Sequence, residues 1–579
     1  MLIHPLKLAL EEAIFALYGS SLEKEHASLL VADVEKATQQ KFGHYQCNSA
    51  LKLAKVLRRS PRQIAQEIVG ALHSSLIQKV EIADPGFINL TLYPAFLAEQ
   101  IRKVLSEPHL GIARPPRAER VIVEFSSPNI AKELHVGHLR STIIGDAIAR
   151  LFEFLGHDVL RLNHIGDWGT QFGMLIAYLQ EKQQEVLLGK KSADLQQLMT
   201  WYRASKKCFD EDPAFKKKAQ LQVVRLQGGD EASLESWSMI CDISRVAFAE
   251  IYKLLDISLN ERGESFYNPY LAEVVTDLER KGLVTISDGA KCIFLEGFLA
   301  RDGTPLPMII EKSDGGYNYA TTDMAAMRHR IEEERAQRII IVTDAGQSLH
   351  FEQIVQAAQK AGYLDPQKVH FNHVGFGVVL GQDGKKFKTR SGETERLIDL
   401  IFEAIAQARQ IFQQRLPSSS EEEIAELSQI LGVDAIKYAD LSCHRLKDYT
   451  FSYERMLKFE GNTAAFLLYS YVRIQSIKRK VGSEVDLSAH FELLEPQEIA
   501  LALHILQFGE TLEAMARDLL PNRLCEYLYE LAEKFNAFFR DCRVEGSPQE
   551  AGRLLLCQAA GLTLETGLHL LGLKTLAKM

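Results

Sequence analysis

The chain has 579 residues, of which 46% are hydrophobic and 25% charged, and its formal net charge is −9. These values exclude a disordered chain and a surface that is basic throughout, but they allow a local basic groove for nucleic acid. The eight cysteines are spread singly, without zinc-ligand spacing, and no apolar run is as long as a membrane span. We therefore expect a cytoplasmic protein of several domains, without a metal held by the protein.

The first 112 residues predict a small α+β domain. Apolar residues recur at helical spacing near residues 5–18 and 60–77, and these stretches flank strand-like pieces such as KVEIADPGFINLTLY. The proline- and arginine-containing stretch 109–120 is typical of a linker.

A different pattern begins at Val121. The run VIVEF predicts a strand buried on both faces, followed by a helical pattern over about 138–155 and the apolar run DVLRLNHI. Strand, helix and strand in this order are typical of a parallel sheet. Residues of about 180–260 are polar and helical and predict an insertion. Further strand candidates are GLVTIS, KCIFLE, RIIIVTD and VHFNHVGFGVVL.

Strand patterns end at about residue 395. The segment RLCEYLYELAEKFNAFFRDCRV places apolar side chains three and four residues apart, as in an amphipathic helix. The segment RLPSSSEEE separates two helices, and its serines are candidates to cap the second. The expected fold is an α+β domain (1–112), an α/β Rossmann-like domain with a parallel sheet (113–395) and an all-α helical bundle (396–579).

Two histidines bracket a glycine at the point where the first predicted strand gives way to a helix. The segment FSSPN leaves the strand, and His135, Gly137 and His138 open the helix. Ligands of parallel sheets bind at the carboxyl ends of the strands, where a helix N-terminus offers free N–H groups. Two imidazole donors there suit the charge that develops on an α-phosphate during in-line attack. The pattern indicates a nucleotide site, and structural histidines are the alternative.

A second basic element lies far downstream. The segment VVLGQDGKKFKTRSGE places Lys385, Lys386, Lys388 and Arg390 in a glycine-rich loop after an apolar strand. Lysines on such a loop can close over a triphosphate and neutralise the leaving pyrophosphate. A solvated surface loop is the alternative interpretation.

Together, the two elements resemble those of class I aminoacyl-tRNA synthetases: HVGH resembles the HIGH element of that class, and KFKT stands at the KMSK position. Longer segments resemble the arginyl-tRNA synthetase family over nearly the whole chain. They are EFSSPNIAKELHVGHLRSTIIGD, NHIGDWGTQFG, RGESFYNPYL, SDGGYNYATTDMAA, FEGNTAAFLLYSYVRI and FGHYQCNSALKLAK. KFKT departs from the pattern at its last three residues, so the second lysine's work falls to Lys388, Lys385 or Lys132.

The resemblance implies an enzyme of translation that activates L-arginine with ATP to arginyl-adenylate and then charges the 3′ end of tRNA(Arg). Magnesium is expected with ATP, held mainly by phosphates and water. The family also implies a monomer that needs bound tRNA before it activates the amino acid. The implied catalytic and ATP-binding residues are His135, Gly137, His138, Lys385, Lys386, Lys388 and Lys132.

A site for free arginine needs carboxylates for its planar guanidinium. Asp323 lies four residues after Tyr319, so one helical turn can place both on one wall, and Glu124 ends the strand before the histidines. The resemblance implies that arginine is held by Tyr319, Asp323 and Gln347, with Ser127, Asn129 and His138 near its α-amino and carboxylate end.

The segment YVRIQSIKRK interleaves basic residues with aromatic ones, which suits phosphate contacts and base stacking. A solvated helix face is the alternative. The resemblance implies that this domain binds the anticodon and that residues 1–112 bind the tRNA elbow. The predicted tRNA contacts are Phe42, Tyr45, Gln46, Asn48, Tyr469 and Arg473.

Two other functional classes fit parts of the sequence. An RNA-binding relative without catalysis would lack the histidine pair or the lysine loop, and both are present. Nucleotidylyltransferases share the histidine-bracketed glycine, but they are commonly much shorter and need no helical tRNA domain. Within the synthetases, the missing zinc ligands disfavour a cysteinyl enzyme, and GDWGTQFG disfavours a glutamyl enzyme.

Overall fold

The computed structural model describes residues 2–22, 24–387, 396–482, 485–576 and 578–579. Two residues of the predicted lysine loop, Lys388 and Arg390, lie outside the described residues. Within the described ranges, no helix is long and apolar enough to cross a membrane.

The N-terminal domain is an antiparallel sheet covered by helices. Its strands are β1 (Val34–Lys36), β2 (Tyr45–Cys47), β3 (Ile77–Ala83) and β4 (Phe87–Leu92), in the spatial order β1-β2-β4-β3. Its helices are α1 (Ile3–Tyr18), α2 (Ser49–Leu57), α3 (Pro61–Ala71) and α4 (Pro94–Ser106). Helix α1 lies where apolar spacing predicts it and buries Leu6, Leu10 and Ile14. The helix predicted over 60–77 ends at Ala71, because the backbone becomes extended at Leu72.

The predicted parallel sheet is present. Its strands are β5 (Arg120–Glu124), β6 (Asp158–Asn163), β7 (Asn260–Glu261), β11 (Arg338–Asp344) and β12 (His370–Phe376), in the order β12-β11-β5-β6-β7. All neighbouring pairs are parallel. Helix α5 (Val136–Phe154) connects β5 to β6, and α13 (Ser348–Lys360) connects β11 to β12. The VIVEF run is buried as predicted, because helices cover both faces of a parallel sheet.

Five helices lie between β6 and β7. They are α6 (Thr170–Lys182), α7 (Gln184–Leu187), α8 (Leu195–Glu211), α9 (Pro213–Gln227) and α10 (Glu231–Leu254). Aspartate side chains accept a backbone N–H at the starts of α8, α9 and α10, which explains where these polar helices begin.

A second sheet is formed by the part of the chain between strands β7 and β11 of the parallel sheet. Strands β8 (Thr285–Ser287), β9 (Ala290–Leu299) and β10 (Pro305–Glu311) are antiparallel in the order β10-β9-β8, between α11 (Asn268–Arg280) and α12 (Tyr319–Glu332). The predicted strands GLVTIS and KCIFLE belong to this sheet, although neither pattern reveals which sheet it joins.

The chain beyond Leu397 is a helical domain. Its helices are α14 (Leu397–Arg415), α15 (Glu421–Leu441), α16 (Tyr453–Met456), α17 (Ala464–Val481), α18 (Pro496–Leu506), α19 (Phe508–Asp518), α20 (Asn522–Asp541) and α21 (Glu550–Leu570). The predicted serine cap is present: Ser420 accepts a hydrogen bond from the backbone N–H of Glu423. The three predicted fold types are thus confirmed.

One strand in this region was not predicted. Strand β14 (Tyr449–Thr450) pairs in parallel with β13 (Val379–Leu380). The prediction that strands end by residue 395 is wrong at this point, because a two-residue strand carries no periodicity and forms only against an available edge.

Candidate functional site

The turn between β5 and α5 has an unusual backbone. Ser126 and Ser127 have φ angles of 70° and 46°, in the left-handed region that non-glycine residues seldom adopt. Hydrogen bonds hold this conformation: the Ser126 N–H donates to Ser141 Oγ at 2.9 Å, and the Ser127 N–H donates to Asn163 Oδ1 at 2.9 Å. Strain maintained in this way is typical of functional sites.

The two histidines form one structural unit at the start of α5. Gly137 N–H donates to His135 Nδ1 at 3.0 Å, and His135 N–H donates to His138 Nδ1 at 3.2 Å. The ring centroids are 4.1 Å apart. Because each Nδ1 accepts a hydrogen bond, the proton of each neutral ring is on Nε2. The helix cap therefore selects the tautomer of both histidines.

Burial sets the charge of these rings. Burial and the nearby Lys132 lower the pKa of His135. Burial, His135 and Lys132 lower the pKa of His138 to about 3. Both imidazoles are therefore neutral near pH 7 and act as N–H donors without a net charge.

The described part of the lysine loop is a hairpin formed by residues 379–387, which we call the lysine hairpin. Gly381 N–H donates to the carbonyl of Lys385 at 2.8 Å, and Phe387 N–H donates to the carbonyl of Val379 at 3.0 Å. The ring centroids of Phe387 and Phe451 are 5.1 Å apart. The side chains of Lys385 and Lys386 are exposed on this hairpin.

The chain after the lysine loop returns to the histidines. Arg396 forms a β-bridge with His135, and Leu397 N–H donates to the carbonyl of Leu134 at 2.9 Å. Both oxygens of Asp399 accept hydrogen bonds from Arg396, at 2.6 and 2.7 Å. Arg396 and Leu397 are thus anchored at the start of α5.

Two of the predicted arginine-binding residues meet at a third, unpredicted side chain. His350 Nε2 lies 2.6 Å from Asp323 Oδ2, and the ring centroids of Tyr319 and His350 are 4.9 Å apart. Tyr319 remains 65% exposed. Gln347 is exposed just before α13, three residues from His350.

The acidic character of this region comes partly from Glu264, which the sequence reasoning missed. Burial and the charges of Asp323 and Asp167 raise the pKa of Glu264 to about 8. Asp167 in turn accepts hydrogen bonds from Ser265 N–H at 2.8 Å and Ser265 Oγ at 2.6 Å. The signal was an acidic residue within RGESFYNPYL, three residues after β7 ends. A half-buried set of carboxylates of this kind favours a cationic ligand.

Glu124 has a different role from the predicted one. It is buried in an ion pair with Arg330 of α12, with Arg330 Nη2 2.5 Å from Glu124 Oε2. The prediction that Glu124 binds arginine is therefore corrected: its charge is already neutralised by the protein's own guanidinium, which fixes α12 to β5.

The remaining predicted residues near the histidines are polar groups of the turn between β5 and α5. The buried Oγ of Ser127 has no hydrogen-bond partner among the described residues. Asn129 is exposed and forms a β-bridge with Gly166 of the loop after β6. Lys132 is exposed on the same turn.

The residues of the N-terminal domain that are predicted to contact tRNA fall into two groups, one buried and one partly accessible. Tyr45 is fully buried, and its hydroxyl donates to Glu510 Oε1 of α19 at 2.7 Å. The prediction that Tyr45 contacts tRNA is therefore wrong, because this side chain joins two domains. Phe42 is half-buried with Lys41 Nζ 4.9 Å from its ring centroid, and Gln46 donates to Asn89 at 2.8 Å. Asn48 is half-buried at the start of α2.

The residues predicted in the helical domain line a groove. Arg473 donates to Tyr469 Oη at 3.1 Å and to Asn536 Oδ1 at 2.6 Å, and its guanidinium is 4.8 Å from the Tyr469 ring centroid. The groove has a volume of about 580 Å³, and its lining includes Tyr469, Arg473, Lys480, Phe539, Arg540 and Arg543. The last three come from the end of α20 and beyond, too far along the chain for a local pattern to connect them.

Comparison with known protein families assigns most of the chain. Residues 4–92 match the arginyl tRNA synthetase N terminal domain, residues 100–453 match tRNA synthetases class I (R), catalytic domain, and residues 467–579 match the DALR anticodon binding domain.

Individual proteins resemble the chain over nearly its whole length. It is 59% identical over 552 residues to the arginine–tRNA ligase of Protochlamydia amoebophila, covering 94% of each chain. It is 51% identical over 583 residues to the arginine–tRNA ligase of Nostoc punctiforme, covering 99% of each. The crystal structure of arginyl-tRNA synthetase from Plasmodium falciparum superposes with a TM-score of 0.86 and 35% identity, covering 99% of this chain and 98% of that one.

Proposed function

The chain belongs to the arginyl-tRNA synthetase family of class I, and from this premise we propose the roles of its residues. It is an arginine–tRNA ligase, which uses ATP to activate L-arginine and then charges tRNA. Its partners are therefore ATP, arginine and tRNA.

For the first step, we assign ATP to the space between the histidines and the lysine hairpin. The neutral Nε2–H groups of His135 and His138 donate to the α-phosphate as the carboxylate of arginine attacks it. Lys386, with Lys385, neutralises the departing pyrophosphate, and Lys132 and Lys388 remain candidates for the second lysine. A Cβ at Gly137 would lie 2.9 Å from His135 Cε1, so glycine is needed to keep the ring in place.

For the amino acid, we assign the guanidinium to the carboxylates of Glu264 and Asp323. The observation that carries this assignment is the mostly buried carboxyl of Glu264, whose pKa is raised to about 8 by burial and, to a lesser extent, by the charge of Asp323, and which a guanidinium would let ionise. Tyr319 and Gln347 complete this end of the pocket. Ser127, Asn129 and His138 contact the α-amino and carboxylate end.

In the second step, a terminal ribose hydroxyl of tRNA attacks the arginyl carbonyl, the bond to phosphate breaks, and AMP leaves. We propose that tRNA is bound by the helical groove containing Tyr469 and Arg473 and by Phe42, Gln46 and Asn48. We divide the chain at 1–112, 113–395 and 396–579, with about 180–260 as an insertion in the catalytic domain. We further propose a cytoplasmic monomer and Mg²⁺ that enters with ATP, held mainly by phosphates and water.

Aminoacylation of total tRNA with each of the twenty amino acids tests the substrate. Arginine alone should be attached, because another side chain would leave the carboxylates of the pocket without a cation. Charging of a different amino acid at a comparable kcat/KM would overturn the assignment of the pocket.

A further test concerns the order of binding. We propose that arginine-dependent exchange of pyrophosphate into ATP needs tRNA. Exchange that runs equally fast without tRNA would contradict this requirement.

A further inference from the structure

Arg140 is a completely buried arginine on helix α5, five residues after His135. Its Nε lies 3.0 Å from Asp440 Oδ2, and its Nη1 donates to the carbonyls of Gly377 at 2.7 Å and Lys447 at 3.2 Å. It is 0% exposed, and it is the largest fully buried side chain among the described residues. One guanidinium thus joins three segments that are far apart in the chain.

Each of these segments is connected to the proposed ATP site. Helix α5 carries the histidine pair at its first turn. Gly377 lies two residues before the lysine hairpin, and Lys447 lies two residues before β14, the strand that pairs with that hairpin. Asp440 belongs to α15, so the same junction reaches the helical domain.

The surroundings of Arg140 determine its orientation as well as its position. The guanidinium carbon lies 5.7 Å from the ring centroid of Phe376 and 5.2 Å from that of Tyr449. A planar group with donors in fixed directions, close to two aromatic rings, has one geometry in which all its contacts are made. Further hydrogen bonds hold the same two segments together, among them those from Val378 N–H to Asp448 Oδ1 at 2.7 Å and from Gly377 N–H to the carbonyl of Arg445 at 2.9 Å.

We propose that Arg140 is a positioning residue that sets the location of the lysine hairpin relative to His135 and His138 across bound ATP. It acts through the backbone of Gly377 and Lys447. The inference rests on the proposed function, because it concerns the ATP site assigned above. Lysine at this position keeps the positive charge, but a single ammonium group cannot contact the carboxylate and both carbonyls in the same directions.

Arg140→Lys tests the proposal in arginine-dependent ATP–pyrophosphate exchange with saturating tRNA(Arg). A displacement of about 1 Å between catalytic groups costs roughly 100-fold in rate, so we expect kcat per active site to fall by about 30- to 100-fold. The KM for arginine and the Kd for tRNA should each change by less than about threefold, because neither pocket contacts Arg140. Active-site titration corrects kcat for unfolded enzyme.

The matched control is Arg553→Lys. Arg553 Nε lies 2.7 Å from Glu498 Oε1, in a mostly buried pair that joins the first turns of α18 and α21 within the helical domain. It should lower the melting temperature and leave kcat per active site at the wild-type value.

A second variant tests the proposal if Arg140→Lys does not fold. Arg140→Met/Asp440→Leu removes the whole buried pair, so no unpaired charge remains in the interior. The same fall in kcat is expected, because the carbonyls lose their common donor. A kcat per active site that matches Arg553→Lys in either variant overturns the proposal. Arginine-dependent exchange by the wild-type enzyme, measured in the same series, tests the proposed function separately.

Discussion

At the scale of single residues, burial controls the charge of the site in two opposite ways. It keeps His135 and His138 neutral by lowering their pKa values, and it favours the protonated form of Glu264 by raising its pKa. The histidines are therefore ready as uncharged donors to a phosphate before any ligand enters. The carboxylate of Glu264, in contrast, gains its charge most easily when a cation arrives.

The substitution Asp323→Asn should impair the use of arginine far more than the binding of ATP. Asparagine keeps the size of the side chain, but it cannot neutralise the guanidinium. We expect the KM for arginine to rise by about 10- to 100-fold, from the loss of a charged hydrogen bond, with the KM for ATP nearly unchanged. Steady-state exchange kinetics measure both values. Asp365→Asn, in a surface pair with Lys368, is the control. An unchanged KM for arginine in Asp323→Asn would remove Asp323 from the pocket.

The affinity for arginine should depend on pH through Glu264. Its pKa of about 8 in the free protein means that the carboxyl is mostly protonated at pH 6 to 7, and a guanidinium must displace that proton. The KM for arginine should therefore fall as pH rises from about 6 to 8, by at most about tenfold per pH unit.

The same shift affects stability with a definite sign. Because the folded protein binds this proton more tightly than the unfolded chain does, the contribution of Glu264 to stability is lost as pH rises from about 4.5 towards 8.

Glu264→Gln should have a high KM for arginine with a flatter pH profile. A wild-type KM that does not change with pH would contradict the assignment.

At the scale of elements, the site depends on two short structures that different parts of the chain hold in place. The first turn of α5 is capped by the histidines themselves, so the helix start and the donor pair form together. The lysine hairpin is attached to β14 and Phe451, and Arg396 forms a β-bridge with His135. Each structure is therefore held by contacts with other parts of the fold and not by its own residues alone.

The substitution Lys386→Ala should slow activation at the chemical step. The lysine stabilises charge that develops on the leaving pyrophosphate, so its loss should lower kcat for exchange by about 100-fold, with a smaller effect on the KM for arginine. Lys360→Ala at the end of α13 removes a comparable charge far from the hairpin and serves as the control. A normal kcat in Lys386→Ala would mean that another lysine stabilises the leaving pyrophosphate.

At the scale of the whole molecule, buried polar contacts hold the domains against one another. Glu510 of the helical domain accepts hydrogen bonds from Tyr45 Oη and, at 3.2 Å, from the backbone N–H of Ile3. Arg102 of α4 donates to the carbonyl of Ala489 at 2.6 Å. The N-terminal and helical domains therefore present fixed surfaces to a ligand as large as tRNA.

Binding of tRNA should depend steeply on salt, because a chain of net charge −9 must rely on local basic patches. Lys480 is exposed in the helical groove, so Lys480→Ala should weaken tRNA binding and reduce the slope of log K against log salt by about one. Filter binding at several salt concentrations measures the slope, with Lys368→Ala as the control. An unchanged slope would place the tRNA phosphates elsewhere.

The sequence by itself determined the local structures and the family. Patterns within a few residues predict the strand VIVEF, helix α1, the Ser420 cap and the histidine turn. They do so because periodicity, capping and turn chemistry are local interactions. The long motifs identified an arginine–tRNA ligase for the same reason: they can be recognised without any contact between distant residues.

Only the tertiary structure decided which distant groups meet. It brought Asp323 close enough to raise the pKa of Glu264, paired Glu124 with Arg330, buried Tyr45 against Glu510 and joined Arg140 to Asp440. It also separated β8–β10 from the parallel sheet. A local pattern shows that a side chain is charged, aromatic or part of a strand. Its charge state, its exposure and its partner depend on segments that approach only when the chain has folded.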